Sequence, residues 1–139
     1  MKDSIKQLLD DFALEPGALP ESLQHLEAIE SVDLPDDYRS FLAEANGGEG
    51  FLGAEYLILW KAEELEQFNL EYEVETYAPG LFLFGSNGGG EGFGFDTRST
   101  PYKVVQVPFI GMDLKYASHV ADSFLDLLEK MSRSDGSLL

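Results

Sequence analysis

Apolar residues return every three or four positions in several windows of this chain and alternate in others. Ile5, Leu8, Leu9 and Phe12 fall at i, i+3, i+4 and i+7, which predicts an amphipathic helix capped by Asp3 or Ser4 and ended by Glu15-Pro16-Gly17. Leu23, Leu26 and Ile29 form a second helical stripe behind Pro20, a residue suited to a first helical turn; the stripe stops near Ser31. His25 lies off that stripe and reads as a solvated side chain. Tyr38, Phe41, Leu42 and Ala45 repeat the period. Pro35 suits the first position of that helix, and Asp36 and Asp37 complement its positive end. Asn46-Gly47-Gly48 reads as its stop, with a left-handed residue satisfying the last carbonyls. Leu65, Phe68 and Tyr72 mark a further helix over 62–74, with Leu70 and Val74 beside the stripe.

Other windows read as strands. Residues 49–53 are a short turn or edge strand, and 56–60 are apolar on both faces, as an internal strand is. Leu81 to Ser86 and Glu91 to Asp96 flank Asn87-Gly88-Gly89-Gly90, and Asn87-Gly88 predicts a tight hairpin turn because both residues tolerate positive φ. Along the second arm Glu91, Phe93 and Phe95 point one way and Gly92, Gly94 and Asp96 the other. The glycine side is expected to be nearly bare, open to another backbone or a partner. Residues 97–101 form a turn, and 102–107 a strand with Val105 and Val107 on one face and Pro108 limiting its pairing. Residues 109–116 read as a loop. Ser118 is expected to cap a last helix carrying Val120, Phe124, Leu127, Leu128 and Met131, and 132–139 to form a frayed polar tail. Helices, strands, a helix, more strands and a final helix predict an α+β fold. The expectation is a single domain over 1–139, its core near 20–131, with a twisted, mostly antiparallel or mixed sheet and helices packed around it.

Composition narrows the function classes. At 44% hydrophobic residues the chain is not of a disordered type, and with no cysteine it has neither disulfides nor thiolate chemistry. No apolar run reaches membrane-spanning length, and Met1-Lys2-Asp3-Ser4 turns acidic at once, unlike a signal peptide, so a cytoplasmic protein is expected. The formal charge is −17, from 26 acidic against 9 basic residues. Nucleic acid and anionic membranes are therefore poor partners, and a basic protein is a good one. The charge is also uneven. Between Lys61 and Arg98 there is no base, while Glu63, Glu64, Glu66, Glu71, Glu73, Glu75, Glu91 and Asp96 all fall there. On one helix, Glu63 with Glu66 and Glu71 with Glu75 would be like-charge neighbours, each pair costing a few tenths of a kcal/mol. The bland reading is a solvated helix face; the sharper one is a site for a basic partner.

No reaction chemistry emerges. The glycine run lacks a following Gly-Lys-Ser/Thr and leads into a strand, not a helix N-terminus, so it does not cradle phosphate. A single Gly89-Gly90-Glu91-Gly92-Phe93-Gly94 lacks the tandem copies and the aspartate of a calcium-binding repeat. Ser118-His119 and Asp122-Ser123 hold triad residue types without triad spacing, and His25 and His119 alone make no zinc site. Glu49, Glu91 and Asp96 are the carboxylates weighed for sugar hydrolysis; rim charges describe them better. The expectation is a non-enzyme with no metal and no cofactor.

Two stretches resemble a known family. Leu34-Pro35-Asp36-Asp37-Tyr38-Arg39-Ser40-Phe41-Leu42-Ala43-Glu44-Ala45-Asn46-Gly47-Gly48 is the first, and Phe84-Gly85-Ser86-Asn87-Gly88-Gly89-Gly90 running on to Phe95-Asp96 is the second. Together with Val120 to Leu128 they resemble the SUKH superfamily, which includes the yeast cell-wall assembly regulator and many bacterial immunity proteins. Asn87 departs from the aspartate common there, and both residues suit a turn. The resemblance implies an α+β fold and a protein-binding role: an immunity protein against a polymorphic toxin, or a regulatory adaptor without a toxin. The acidic face makes a nuclease the toxin expected. Trp60, Glu63, Glu64, Glu66, Glu71, Tyr72, Glu73, Glu75, Glu91 and Asp96 are the candidate partner-binding residues, and Asn87, Gly88, Gly89 and Gly90 the structural turn.

Overall fold

The computed structural model describes residues 3–134. The chain runs α1 (Asp3–Leu8), β1 (Ala13–Pro16), α2 (Pro20–Glu30), α3 (Asp36–Glu44), β2 (Ala45–Leu52), β3 (Glu55–Leu59), α4 (Ala62–Glu71), α5 (Val74–Tyr77), β4 (Leu81–Ser86), β5 (Glu91–Asp96), β6 (Lys103–Pro108), β7 (Ser118–Ala121) and α6 (Phe124–Ser132). The strands form one open sheet in sequence order, β1 to β7, and every neighbouring pair is antiparallel. The fold is α+β, with no parallel pair in the sheet.

One face of the sheet carries the core. Tyr38 on α3 packs against Phe84 of β4 at 5.4 Å, Phe95 of β5 at 5.3 Å and Phe124 of α6 at 5.1 Å between ring centroids. The helical stripe of α3 therefore meets alternate strand positions and the first turn of α6. Asp37 locks this arrangement: its Oδ2 accepts the Leu125 backbone N–H at 3.0 Å, so a residue of α3 satisfies a free donor of α6. The Tyr38 hydroxyl is buried with no partner, and burial raises its pKa far above the tyrosine range.

The sheet is nearly split in its middle. β3 and β4 pair at only two positions, Ile58 with Ser86 and Leu59 with Gly85. Beyond them the edge of β4 faces α4, and a side chain replaces the missing strand. Asn69 Oδ1 accepts the Leu83 N–H at 2.9 Å, and its Nδ2 donates to Leu83 O at 2.9 Å and to Leu65 O at 2.8 Å. Asn69 is a polar residue on the buried stripe of α4, and this is the reason it stands there.

Several local expectations are corrected. The Asn46-Gly47-Gly48 stretch does not stop α3 with a left-handed cap; Ala45 is already extended and the three residues begin β2. Asn46 instead caps α4, accepting the Ala62 N–H at 2.7 Å, and a side chain at Gly47 would collide with Leu59 O. Residues 13–16, expected as a helix end, form edge strand β1. The Asn87 turn is a four-residue loop, not a two-residue hairpin turn. Asn87 keeps negative φ, and its side chain closes the loop by accepting from Gly89 N and donating to Glu91 Oε1 at 2.9 Å. The glycine face of β5 is not bare: a Cβ at Gly92 would meet the Phe109 ring at 2.8 Å, and one at Gly94 would meet Leu83. Ser118 begins strand β7 and caps nothing; Ser123 caps α6, accepting the Asp126 N–H at 3.0 Å. Of the tail expected to fray, 135–139 lie outside the described residues, whereas Ser132 ends α6 and Ser134 donates to Glu55 at 2.8 Å.

Two substitutions test these contacts. Asn69→Leu leaves the Leu83 N–H and C=O unpaired and is expected to cost about 2–4 kcal/mol, read as a lower urea midpoint at unchanged slope. Tyr38→Phe removes an unpartnered buried hydroxyl without changing ring packing and is expected to gain about 1 kcal/mol in the same assay.

Candidate functional site: an acidic cleft and an aromatic shelf on either side of α4

The helix expected over 62–74 is two helices. α4 ends at Glu71, Tyr72 is its C-cap, and Glu73 takes left-handed φ of 53° before α5. Glu71 and Glu75 thus do not share one helix face, and the break aims Glu73 and Glu75 toward α2. There they join Glu30 and Glu66 around a cleft of about 630 Å³ between the end of α2, α4, α5 and the start of β4. Ile29 and Leu70 are its apolar walls, 52% and 76% exposed. Ser31, which also lines it, is the other non-glycine residue in left-handed conformation among the described residues. No Lys or Arg lines the cleft. Arg98, whose stem lies over Gly80 at the rim, is committed to Asp96 through two contacts of 2.9 Å. Burial first, then Glu66 and Glu75, raise the pKa of Glu30.

The other side of α4 is aromatic. Trp60, buried at the end of β3, lies 4.8 Å from Phe68, while Tyr72 stacks on Phe109 at 4.3 Å with rings 16° apart. Trp60 lies nearly parallel to both stacked rings, at 6.2 and 6.3 Å.

The ten candidate residues therefore fall into separate groups. Trp60 and Tyr72 share the shelf, and Glu66, Glu73 and Glu75 share the cleft. Glu64 turns back to accept the Lys61 N–H, Glu63 accepts from Asn46, and Glu71 from Gln67. Glu66 Oε2 lies 3.3 Å from His25 Nε2, on an exposed ring. Glu91 is held in the Asn87 loop, and Asp96 is ion-paired to Arg98, whose hydrogen bonds lower its pKa. Glu91 and Asp96 sit at opposite ends of β5, roughly 17 Å apart by strand rise, too far for a hydrolytic carboxylate pair. Ser118 and His119 are neighbours on a strand and point to opposite faces; His119 pairs with Asp122 at 2.9 Å. Among the described residues no group of three or more His, Asp or Glu side chains is placed to hold a metal ion. What the cleft offers is unneutralised carboxylate beside apolar surface, which suits an amine or guanidinium.

Ile29, Glu30, Leu70 and Phe109 were not among the candidates. Their sequence signal was weak: they are ordinary residues at element ends, brought together only by the fold. Asn69, a polar residue four places after Leu65, did carry a legible signal.

The model of the SMI1 / KNR4 family (SUKH-1) matches residues 17–130. The chain belongs to that family. No curated protein matches it closely. SUKH-1 proteins are generally non-enzymatic immunity or regulatory proteins, and membership is consistent with either role. No helix among the described residues is long and apolar enough to cross a membrane.

The raised pKa of Glu30 fixes a pH dependence. A carboxyl whose folded pKa exceeds its unfolded value weakens the fold as pH rises through the folded value. Glu30→Gln is thus expected to raise the melting temperature near pH 7 and to leave it unchanged near pH 3.5, where both side chains are neutral.

Proposed function

We propose that this SUKH-1 protein is a non-enzymatic binding module for a basic protein, acting as an immunity protein that covers the basic face of a toxin domain. A nuclease fits, because an enzyme that holds nucleic acid carries lysine and arginine around its active site. One observation carries the reading: along α4 and α5, Glu63, Glu64, Glu66, Glu71, Glu73 and Glu75 have no Lys or Arg ion-pair partner among the described residues. Their partners are an asparagine, a glutamine, a backbone amide and a histidine. Like charges left together destabilise a helix, so the arrangement supports a use outside the fold. Asp96 and Glu91 contribute less, since each already has a partner. The regulatory-adaptor reading uses the same surface with a different occupant, and a toxin gene beside the coding sequence separates the two.

The test is association with the toxin domain encoded next to the gene, followed by stopped flow over a range of salt. Glu63→Lys, Glu66→Lys and Glu71→Lys together are expected to slow association about tenfold or more at low ionic strength and to flatten its salt dependence. Unchanged association at low salt removes the reading.

A further inference from the structure

Helices α2 and α4 both end at the cleft. Its lining takes in Ile29 and Glu30 of the last turn of α2, and Leu70 and Glu73 at the end of α4. The last carbonyls of a helix have no partner within it and carry the negative end of its dipole, where a lysine or arginine is favoured. Neither helix has a base in its last turn. The final residue of α2 is instead an acid, Glu30. The start of α5 opposes this field, but α5 is only four residues long.

The side chains add to the same field. Glu66, Asn69 and Leu70 share one side of α4 at i, i+3 and i+4; Asn69 turns to Leu83, and the other two line the cleft. Glu73 and Glu75 line it beyond the helix break, and Glu30 lines it from α2. Glu66 lies beside His25; Glu30, Glu73 and Glu75 have no Lys or Arg partner among the described residues. Exposed Ile29 and Leu70 stand in the same lining.

Acid at helix ends, acid near acid and apolar walls left in water are three unfavourable features, and one kind of occupant relieves them all. The stem of an arginine or lysine covers apolar surface while its head meets carboxylate and carbonyl oxygens. A volume of about 630 Å³ lies within the range of ligand sites, roughly 300–1,000 Å³, so the cleft admits a few side chains of a loop. A second copy of this chain would bring another charge of −17 against the first, which opposes self-association.

We propose that the α2–α4 cleft anchors the partner protein by a segment carrying arginine or lysine beside an aliphatic residue: the cationic head sits among Glu30, Glu66, Glu73 and Glu75, and the aliphatic parts pack on Ile29 and Leu70. The proposal rests on the basic-partner reading above and adds where the partner is held. Glu63 and Glu71, which do not line the cleft, act on the rate of encounter, and the cleft sets how long the complex lasts.

The test titrates the full chain with a capped peptide of alternating leucine and arginine, with its citrulline-for-arginine analogue, which keeps the shape and loses the charge, and with spermidine. Calorimetry gives Kd, and amide chemical shifts locate the contact. The arginine peptide is expected to bind about tenfold or more tighter than the citrulline peptide and to shift residues 29–32 and 66–76. Ile29→Gln with Leu70→Gln, both exposed and neutral, is expected to raise its Kd about tenfold at an unchanged salt slope. Glu30→Gln is expected to raise Kd about threefold or more while raising the melting temperature near pH 7, two changes that loss of structure cannot produce together. If the cleft variants bind as the parent chain does, the cleft is wrong, and the basic-partner reading then stands if Glu63→Lys with Glu71→Lys still weakens binding. If arginine and citrulline peptides bind alike, both fall. Spermidine that binds as tightly as the arginine peptide, shifts confined to residues outside the cleft, or no binding of the arginine peptide at millimolar concentration also overturns the proposal.

Discussion

The amide of Asn69 holds the centre of this molecule together. A sheet whose two central strands share only two paired positions has backbone donors and acceptors to satisfy elsewhere. Asn69 meets that need with the geometry of a strand, one acceptor and one donor facing Leu83, and ties both to its own helix at Leu65. The helix is thereby fixed at the split. Everything of functional interest is set by that placement: the cleft toward α2, the shelf toward Phe109, and the line of glutamates between them.

Around this joint the electrostatics run against the fold. Four carboxylates line one cleft, and burial together with its neighbours raises the pKa of Glu30. Two residues lining the same cleft, Ser31 and Glu73, accept left-handed backbone that a glycine would adopt more cheaply. Where stability alone is at stake, a lysine would relieve the first strain and a glycine the second. A few carboxylates elsewhere are neutralised: Asp96 holds Arg98, Arg39 holds Glu27, and Lys130 holds Asp126. Among the described residues no such base reaches the carboxylates of α4 and α5.

The two sheet faces show a second division. On the helix side, aromatic rings from β4, β5 and α6 close around Tyr38 of α3. On the other side Phe51 of β2 is exposed and Tyr56 and Ile58 of β3 are half-buried. The loop after β6 covers Gly92 and Gly94 only as far as Phe109 reaches, with Leu83 filling the rest. Small residues on β5 thus allow the close approach of that loop.

The helices of the core were legible in the sequence because a 3.6-residue period must bury one side: Leu23 and Leu26, Tyr38, Phe41 and Leu42, Leu127 and Met131 are all buried as the spacing requires. The central hairpin was legible because apolar runs on either side of four glycine-rich residues have few other ways to pair, and the shortage of bases from 62 to 97 could simply be read off. Other features were decided only by the tertiary structure. Asn46 caps a helix sixteen residues away rather than ending its own, and Ser118 lies in a strand because Val104, Val105 and Gln106 offer it an edge. Glu30 joins Glu66 and Glu75, and Phe109 joins Tyr72, across gaps of more than thirty residues. Periodicity and turn chemistry act over one or two turns of chain, so they fix local elements. Which carboxylates share a cleft and which rings share a shelf depends on how those elements dock, and a single sequence carries that only through long-range packing.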